Sequence, residues 1–326
     1  VTAYIIRRCL YAIPIVLGVI ILTFLLFFVV NSPDDMAAKI LGEKNLTPEA
    51  IEKWKQDHNY HLPTLVNTEE QGLKKLTQTI FYQKGLSLLW FDFGKSDRNN
   101  ENIGYQIRRR MGPSLLIGIP TFILGLLVNI TAAMIIAYYR GTYIDFWGVV
   151  ICVILMSVST LYYIIAGQYV FGKILRIFPI SGYDVGVHSI KFVVMSVVIG
   201  IITGIGGGVR FYRTIFLEEI GKDYIRTARA KGLSEAKVLF KHGLKNAMIP
   251  ILTGVVVAIP FLFMGSLLLE AFFAIPGLGS YSIEAIQAQD FAIVRAMVYL
   301  GSVLYIVGLI LTDISYTLVD PRIRLE

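Results

Sequence analysis

A few clusters of residues in this 326-residue chain have types and spacings that chemistry uses. Asp92-Phe93-Gly94-Lys95-Ser96 sets an acid beside a Phe-Gly pair, as in the metal site of a kinase. Neither a Gly-rich loop, a catalytic Asp-Asn loop nor a strand lysine accompanies it. Gly94-Lys95-Ser96 also ends like a phosphate loop, but the glycine required upstream falls at position 89, which is Leu89. Gly204-Ile205-Gly206-Gly207-Gly208 lacks the preceding strand and the glycine spacing of a nucleotide fingerprint, and reads instead as close helix packing or a bend. His58 and His61, at i and i+3, have no third metal ligand nearby. Cys9 and Cys152 lie far apart in separate apolar runs, with neither metal spacing nor a disulfide framework. Asp313 is an acid within an apolar run, a functional candidate by default, although its place near the end of that run suits pairing or snorkelling equally well. No catalytic set and no metal site emerges.

The elements that carry these residues are set by hydropathy. With 55% hydrophobic residues, 16% charged residues and a mean hydropathy of +0.65, the chain cannot hide its apolar surface in one soluble core. The net charge of +7 is no argument for nucleic acid, because nine of thirty basic residues lie between Val209 and Asn246 against four acids, as in a cytoplasmic loop of a membrane protein. Cys9 to Val30 is an uncharged run of 22 residues, long enough to span and too long for a signal peptide. Further spans are expected at about Leu115 to Tyr139, Trp147 to Phe171, Phe192 to Gly208, Ala247 to Leu269 with a break at Pro260, and Ala296 to Val319. Asn129, mid-membrane in the second, reads first as an interhelical hydrogen-bonding residue. Between the first two spans, Asn31 to Gly112 carries twelve basic and eleven acidic residues and is expected to be extracytoplasmic, with a short helix over Pro48 to Asp57. Six spans place both termini in the cytoplasm.

Asp223 to Pro250 stands apart, being cationic and amphipathic. Helical period puts Tyr224, Ile225 and Ala228 on one side of a first helix, and Gly232 sits where a left-handed cap would end it. Ser234 is placed to cap a second helix with Glu235 in its first turn. Along it Ala236, Leu239, Phe240 and Gly243 share one face, and Lys237, Lys241 and Lys245 the other. Period alone leaves two readings open: a helix on the membrane surface, or a docking helix whose small residues Ala228, Ala230 and Gly232 admit a partner.

The stretch Tyr224-Ile225-Arg226-Thr227-Ala228-Arg229-Ala230-Lys231-Gly232-Leu233-Ser234-Glu235 resembles the cytoplasmic loop of permease subunits in the oligopeptide and dipeptide branch of bacterial ABC importers. Anchored on Gly232, Arg226, Thr227 and Ala228 take the Glu-Ala-Ala positions of the general motif, while His242 and Lys245 replace its Ile and Pro. Glu270-Ala271-Phe272-Phe273-Ala274-Ile275-Pro276-Gly277-Leu278-Gly279 is similar to an outer-loop segment of the same family, with Glu270, Phe273, Pro276, Gly277 and Gly279 at the motif positions. Asp92 to Ser96 resembles the segment before its second span, and Asp320-Pro321-Arg322 its closing residues.

The resemblance implies an all-α integral membrane protein of six transmembrane helices with the type I ABC importer permease fold and a cytoplasmic coupling helix. Its divisions would be 1–30, the first span; 31–112, extracytoplasmic; 113–319, the transmembrane core with a coupling loop over 209–246; and 320–326, a cytoplasmic tail. It further implies contact with the ATPase through Arg226, Thr227, Ala228, Ala230, Lys231, Gly232, Leu233, Ser234 and Glu235. The chain would bind no cofactor, with ATP and magnesium held on partner subunits. Those partners would be a second homologous permease, two cytoplasmic ATPases and an extracytoplasmic solute-binding protein, all at the bacterial cytoplasmic membrane. The rival class is a secondary transporter or channel, which would place coupling acids or broken inverted repeats at mid-membrane. Here only Asp313 offers itself.

Overall fold

The computed structural model describes residues 2–28, 31–42, 47–68, 70–72, 74–184, 186 and 189–319; the closing 320–326 tail lies outside them. In chain order the helices are α1 (Thr2–Phe28), α2 (Pro33–Leu41), α3 (Pro48–Asp57), α4 (Lys74–Thr77), α5 (Ile103–Tyr138), α6 (Tyr143–Ser157), α7 (Thr160–Gly167), α8 (Ser189–Ile220), α9 (Asp223–Ala230), α10 (Glu235–Lys237), α11 (Leu244–Ala258), α12 (Leu267–Phe272), α13 (Leu278–Ala288) and α14 (Phe291–Val319). Among the described residues, five helical stretches are long and apolar enough to cross a membrane, and a sixth is completed if Tyr143–Ser157 and Thr160–Ile174 form one broken span, bent by 89°. The helices group into two compact units, Val1–Met111 with Tyr281–Ile310, and Gly112–Ser280 with the end of α14 from Leu311.

In the first unit the polar segment after α1 is ordered by local capping. Ser32 accepts from the Asp35 amide at 3.1 Å while the Asp35 carboxylate accepts from the Ser32 amide at 3.2 Å, a capping box with Pro33 in the first turn. Thr47 caps α3 through the Ala50 amide at 3.2 Å, and α3 occupies the expected Pro48–Asp57. Phe24 and Phe28 of α1, Met36 and Ala37 of α2, Trp54 of α3, Tyr60 and Ile80 form a common core. The second span begins at Ile103 rather than near Leu115, because Asn102 caps it through the Tyr105 amide at 2.9 Å. Arg108, Arg109 and Arg110 therefore lie on the helix. Arg110 pairs with Glu284 at 3.1 Å and stacks over Tyr281 at 4.6 Å.

In the second unit two spans differ from their expected form. The third is not continuous: Val158 and Ser159 are extended, Ser157 bonds back to the Val153 carbonyl at 2.8 Å, and the helix restarts at Thr160. The fourth does not stop at the glycine run but continues to Ile220. The glycines serve packing, since a Cβ on Gly206 would lie 2.6 Å from the Cys152 carbonyl and one on Gly208 would lie 2.4 Å from Asn129 Nδ2. Beyond the membrane-length part of α8, Arg213 donates to Asp145 at 2.9 Å from Nε and 2.6 Å from Nη2, tying α8 to the turn that starts α6. The fifth span breaks near Pro260 as expected, where α11 passes into a 3₁₀ turn over Ile259–Met264 that ends at Gly265.

Candidate functional site

The amphipathic loop folds around a small core of its own. α9 places Ile225 and Ala228 inward against Val238, with Tyr224 and Leu233 packed at the edge. Gly232, at φ +75°, turns the chain, and its amide donates to the Arg229 carbonyl at 2.9 Å. Arg229 and Glu235 pair across this turn through both guanidinium donors. Ser234 occupies the N-cap position of α10 through its backbone, its carbonyl accepting from Val238 at 2.9 Å, but its hydroxyl makes no capping bond. At the base of the loop the buried Glu219 accepts from Lys222 and from the Tyr224 hydroxyl. Burial and that carboxylate raise the Tyr224 phenol to about 12, so it stays a donor at neutral pH.

Among the residues expected at a docking surface, Arg226, Thr227, Ala230, Lys231, Gly232 and Ser234 are exposed. Ala228 is not: it faces inward beside Ile225 and Val238, and Leu233 and Glu235 are half-buried. The small residues open to a partner are thus Ala230 and Gly232. The second helix also departs from plain helical period. After α10 a π-helical turn over Val238–Gly243 carries the chain into α11, so the loop's second arm is the start of the fifth span. The wider turn directs Val238 and Leu239 inward and leaves Phe240 exposed, where a 3.6-residue period had grouped Phe240 with Leu239. Val238 was the residue missed.

The second motif builds a cradle for one buried carboxyl. Glu270 is fully buried, and its side chain accepts from the Ser266 and Ser280 amides at 3.1 Å each, from the Gly279 amide and from the Ser114 hydroxyl. Cβ atoms on Gly265 and Gly277 would lie 2.0 and 2.3 Å from its oxygens, and one on Gly279 would lie 2.7 Å from the Ser266 backbone. Only glycine lets these strands of chain close on the carboxyl. Phe273 and Ile275 plug the adjacent core, while Pro276 stays exposed at the turn. Each motif residue therefore has a task in holding this loop, and none is presented as a reactive group.

Asn129 does not make the interhelical hydrogen bond expected of it. Its carboxamide lies against Gly208, Oδ1 is buried without a partner, and the same is true of Thr121 Oγ1. Both residues line a groove of about 230 Å³ beside Gly125, Gly200 and Gly204. Asp313 is half-buried in α14 and has an interaction partner. Among the described residues no group of three His, Cys, Asp or Glu converges as a metal site would require, and His58 Nδ1 lies 2.9 Å from the Trp54 carbonyl.

Apolar spans broken in two places, with a basic helix-turn between the fourth and fifth, are the frame of a membrane-embedded subunit. The chain belongs to the family of binding-protein-dependent transport system inner membrane components, whose model matches residues 129–325, and it has that family's type I ABC permease fold. It is 32% identical, over the full length of both chains, to a Brucella abortus protein named as a peptide transport system permease. It is 29% identical to the dipeptide transport system permease DppB of Bacillus subtilis, covering 99% of this chain and 98% of that one. With the glutathione transport system permease GsiC of Salmonella paratyphi A the identity is 30%, over 98% of each.

Proposed function

We propose that this permease component moves peptides or peptide-like solutes across the bacterial cytoplasmic membrane, with ATP hydrolysed on two separate ATPase subunits. The observation that carries the reading is the α9–Gly232 turn, an ordered, cationic, exposed element on a chain with no phosphate loop of its own. Its small core of Ile225, Ala228 and Val238 makes it rigid enough to transmit a push, and its continuity with the fifth span delivers that push to the membrane. Closure of the ATPases on Arg226, Thr227, Ala230, Lys231, Gly232 and Ser234 would bias the spans between inward-open and outward-open packings. A sister permease completes the pathway, and an extracytoplasmic binding protein supplies the solute. The relatives named for peptides, dipeptides and glutathione support a solute with amide bonds. The partnerless Asn129 and Thr121 are suited to line a wetted route for it.

The reading requires the loop to face the ATP side. In a background lacking native thiols, Val66→Cys, at an exposed position between α3 and α4, is expected to react with a membrane-impermeant maleimide on intact cells. Lys237→Cys is expected to react only after the cells are opened. Labelling of Lys237→Cys from outside would place the loop where no ATPase can reach it and would end the proposal.

A further inference from the structure

We infer that Phe81 to Phe93 is a membrane-embedded wedge, not part of an aqueous domain, and that its exposed aromatic face is seated among the phospholipids of the outer leaflet. The inference rests on α1 and α14 crossing the membrane and not on what the protein transports. Composition assigns all of 31–112 to water, yet this stretch contacts both spans below their ends. The Phe81 ring meets Phe24 edge-on, with centroids 4.9 Å apart, and Phe24 is four residues inside the end of α1 at Phe28. At the other end, Phe91 and Phe93 meet Tyr299 at 6.2 and 6.5 Å, and Tyr299 lies four residues along α14 beyond Arg295.

Phe28 and Arg295 fix a common level, because the guanidinium sits 5.1 Å over the Phe28 ring. One turn inward from that level, about 6 Å at 1.5 Å per residue, both spans meet the same segment. The segment therefore runs across the two spans at a single depth. A buried layer of polar groups lies above it. Tyr60 donates to Asp97 at 2.8 Å, Ser96 donates to Asp290, and the Ala292 amide donates to Asp97 at 3.1 Å, all at the level where α14 begins. Lys84, the one cation of the segment before Lys95, reaches up to this layer and lies 5.1 Å over the Tyr60 ring.

The segment's backbone suits that depth. A π-helical turn over Phe81–Gly85 runs into a 3₁₀ turn over Leu86–Trp90, so its peptide groups are mostly paired within it, as a segment entering the acyl boundary needs. Gly85 is the point of closest approach, where a Cβ would lie 3.6 Å from Phe24 and 3.2 Å from Phe81. What faces outward is apolar and aromatic: Trp90 is 86% exposed, with Phe91, Tyr82 and Leu89 beside it. Tyr82, Leu86 and Trp90 wall a cleft of about 390 Å³ with Gln83, Ser87 and Asp92 on its lining, an amphipathic shape that fits the junction of glycerol and acyl chain. On α1, against which Phe81 packs, Leu22, Leu25 and Leu26 are also exposed. Trp and Tyr favour such an interface over either bulk phase.

The test uses the full chain, assembled with its sister permease and ATPases, in vesicles of phosphatidylcholine brominated either high or low on the acyl chain. The signal of Trp90 is taken as the difference between the parent and Trp90→Phe. We expect lipid brominated high on the chain to quench that difference signal severalfold more than aqueous acrylamide does. Stronger quenching by acrylamide would mean a water-facing surface for a soluble partner. Quenching by neither would mean that another subunit covers the face, and either result overturns the inference. Should Trp90→Phe assemble poorly, a nitroxide on Leu89→Cys reports the same contrast as oxygen against nickel-chelate accessibility, with higher oxygen accessibility expected.

Discussion

Gly232→Val is expected to leave membrane insertion intact and to remove coupling between ATP hydrolysis and uptake. Gly232 holds φ +75°, a region that costs an L-residue about 1–2 kcal/mol, and a β-branched side chain tolerates it least. Among the described residues, no atom beyond the adjoining residues lies within 4 Å of where its Cβ would be, so the Cβ itself meets no clash there. The two methyl groups instead project from the exposed turn between α9 and α10, where the proposed ATPase cleft would close. The spans bury their faces without help from this turn, and expression should match the parent. Substrate-stimulated ATP hydrolysis and uptake, measured in nanodiscs and vesicles with all partners present, should both fall. A variant that couples like the parent would show that the turn carries no load.

Glu270→Ala is expected to act on the fold itself. Its carboxyl accepts from the Ser266 and Ser280 amides at 3.1 Å, from the Gly279 amide and from Ser114. Removing it leaves at least two buried backbone donors without an acceptor, at about 1–3 kcal/mol each, so about 2–6 kcal/mol in all. That is a large share of the stability of a typical domain, about 5–15 kcal/mol. Glu270→Gln keeps the shape and one acceptor oxygen, and is expected to lose less. The measurement is the midpoint of thermal unfolding in detergent, with Glu270→Gln measured alongside. Parental stability of Glu270→Ala would mean that the cradle does not hold the loop.

What could be read in the sequence followed from patterns with one physical cause. The apolar runs, the Pro48–Asp57 helix and the left-handed Gly232 each needed only local rules, and the structure has a helix at each run, α3 at Pro48–Asp57 and a positive φ at Gly232. Features that depend on contact between distant residues were not legible. The glycine run over Gly204–Gly208 serves the close packing its residue type suggests, but hydropathy ends the fourth span at Gly208 and the helix continues to Ile220. Three ordinary polar residues, Ser157, Ser159 and Thr160, gave no sign of an 89° bend. The π-helical turn over Val238–Gly243 shifted the inward face to Val238, which no fixed period anticipates. Likewise Ala228 belonged by type to a docking surface and by packing to the loop's core.

The central claim is that the exposed turn of Ala230 and Gly232 is where the ATPases grip. A photo-crosslinking amino acid placed at Ala230 in the assembled transporter, with a second placed at the lipid-facing Leu26 as reference, tests it most directly. Illumination should join Ala230 to an ATPase subunit, with a yield that changes when ATP is bound, and should not do so from Leu26. An intact, transport-competent assembly in which Ala230 yields no ATPase adduct in any nucleotide state would contradict the account.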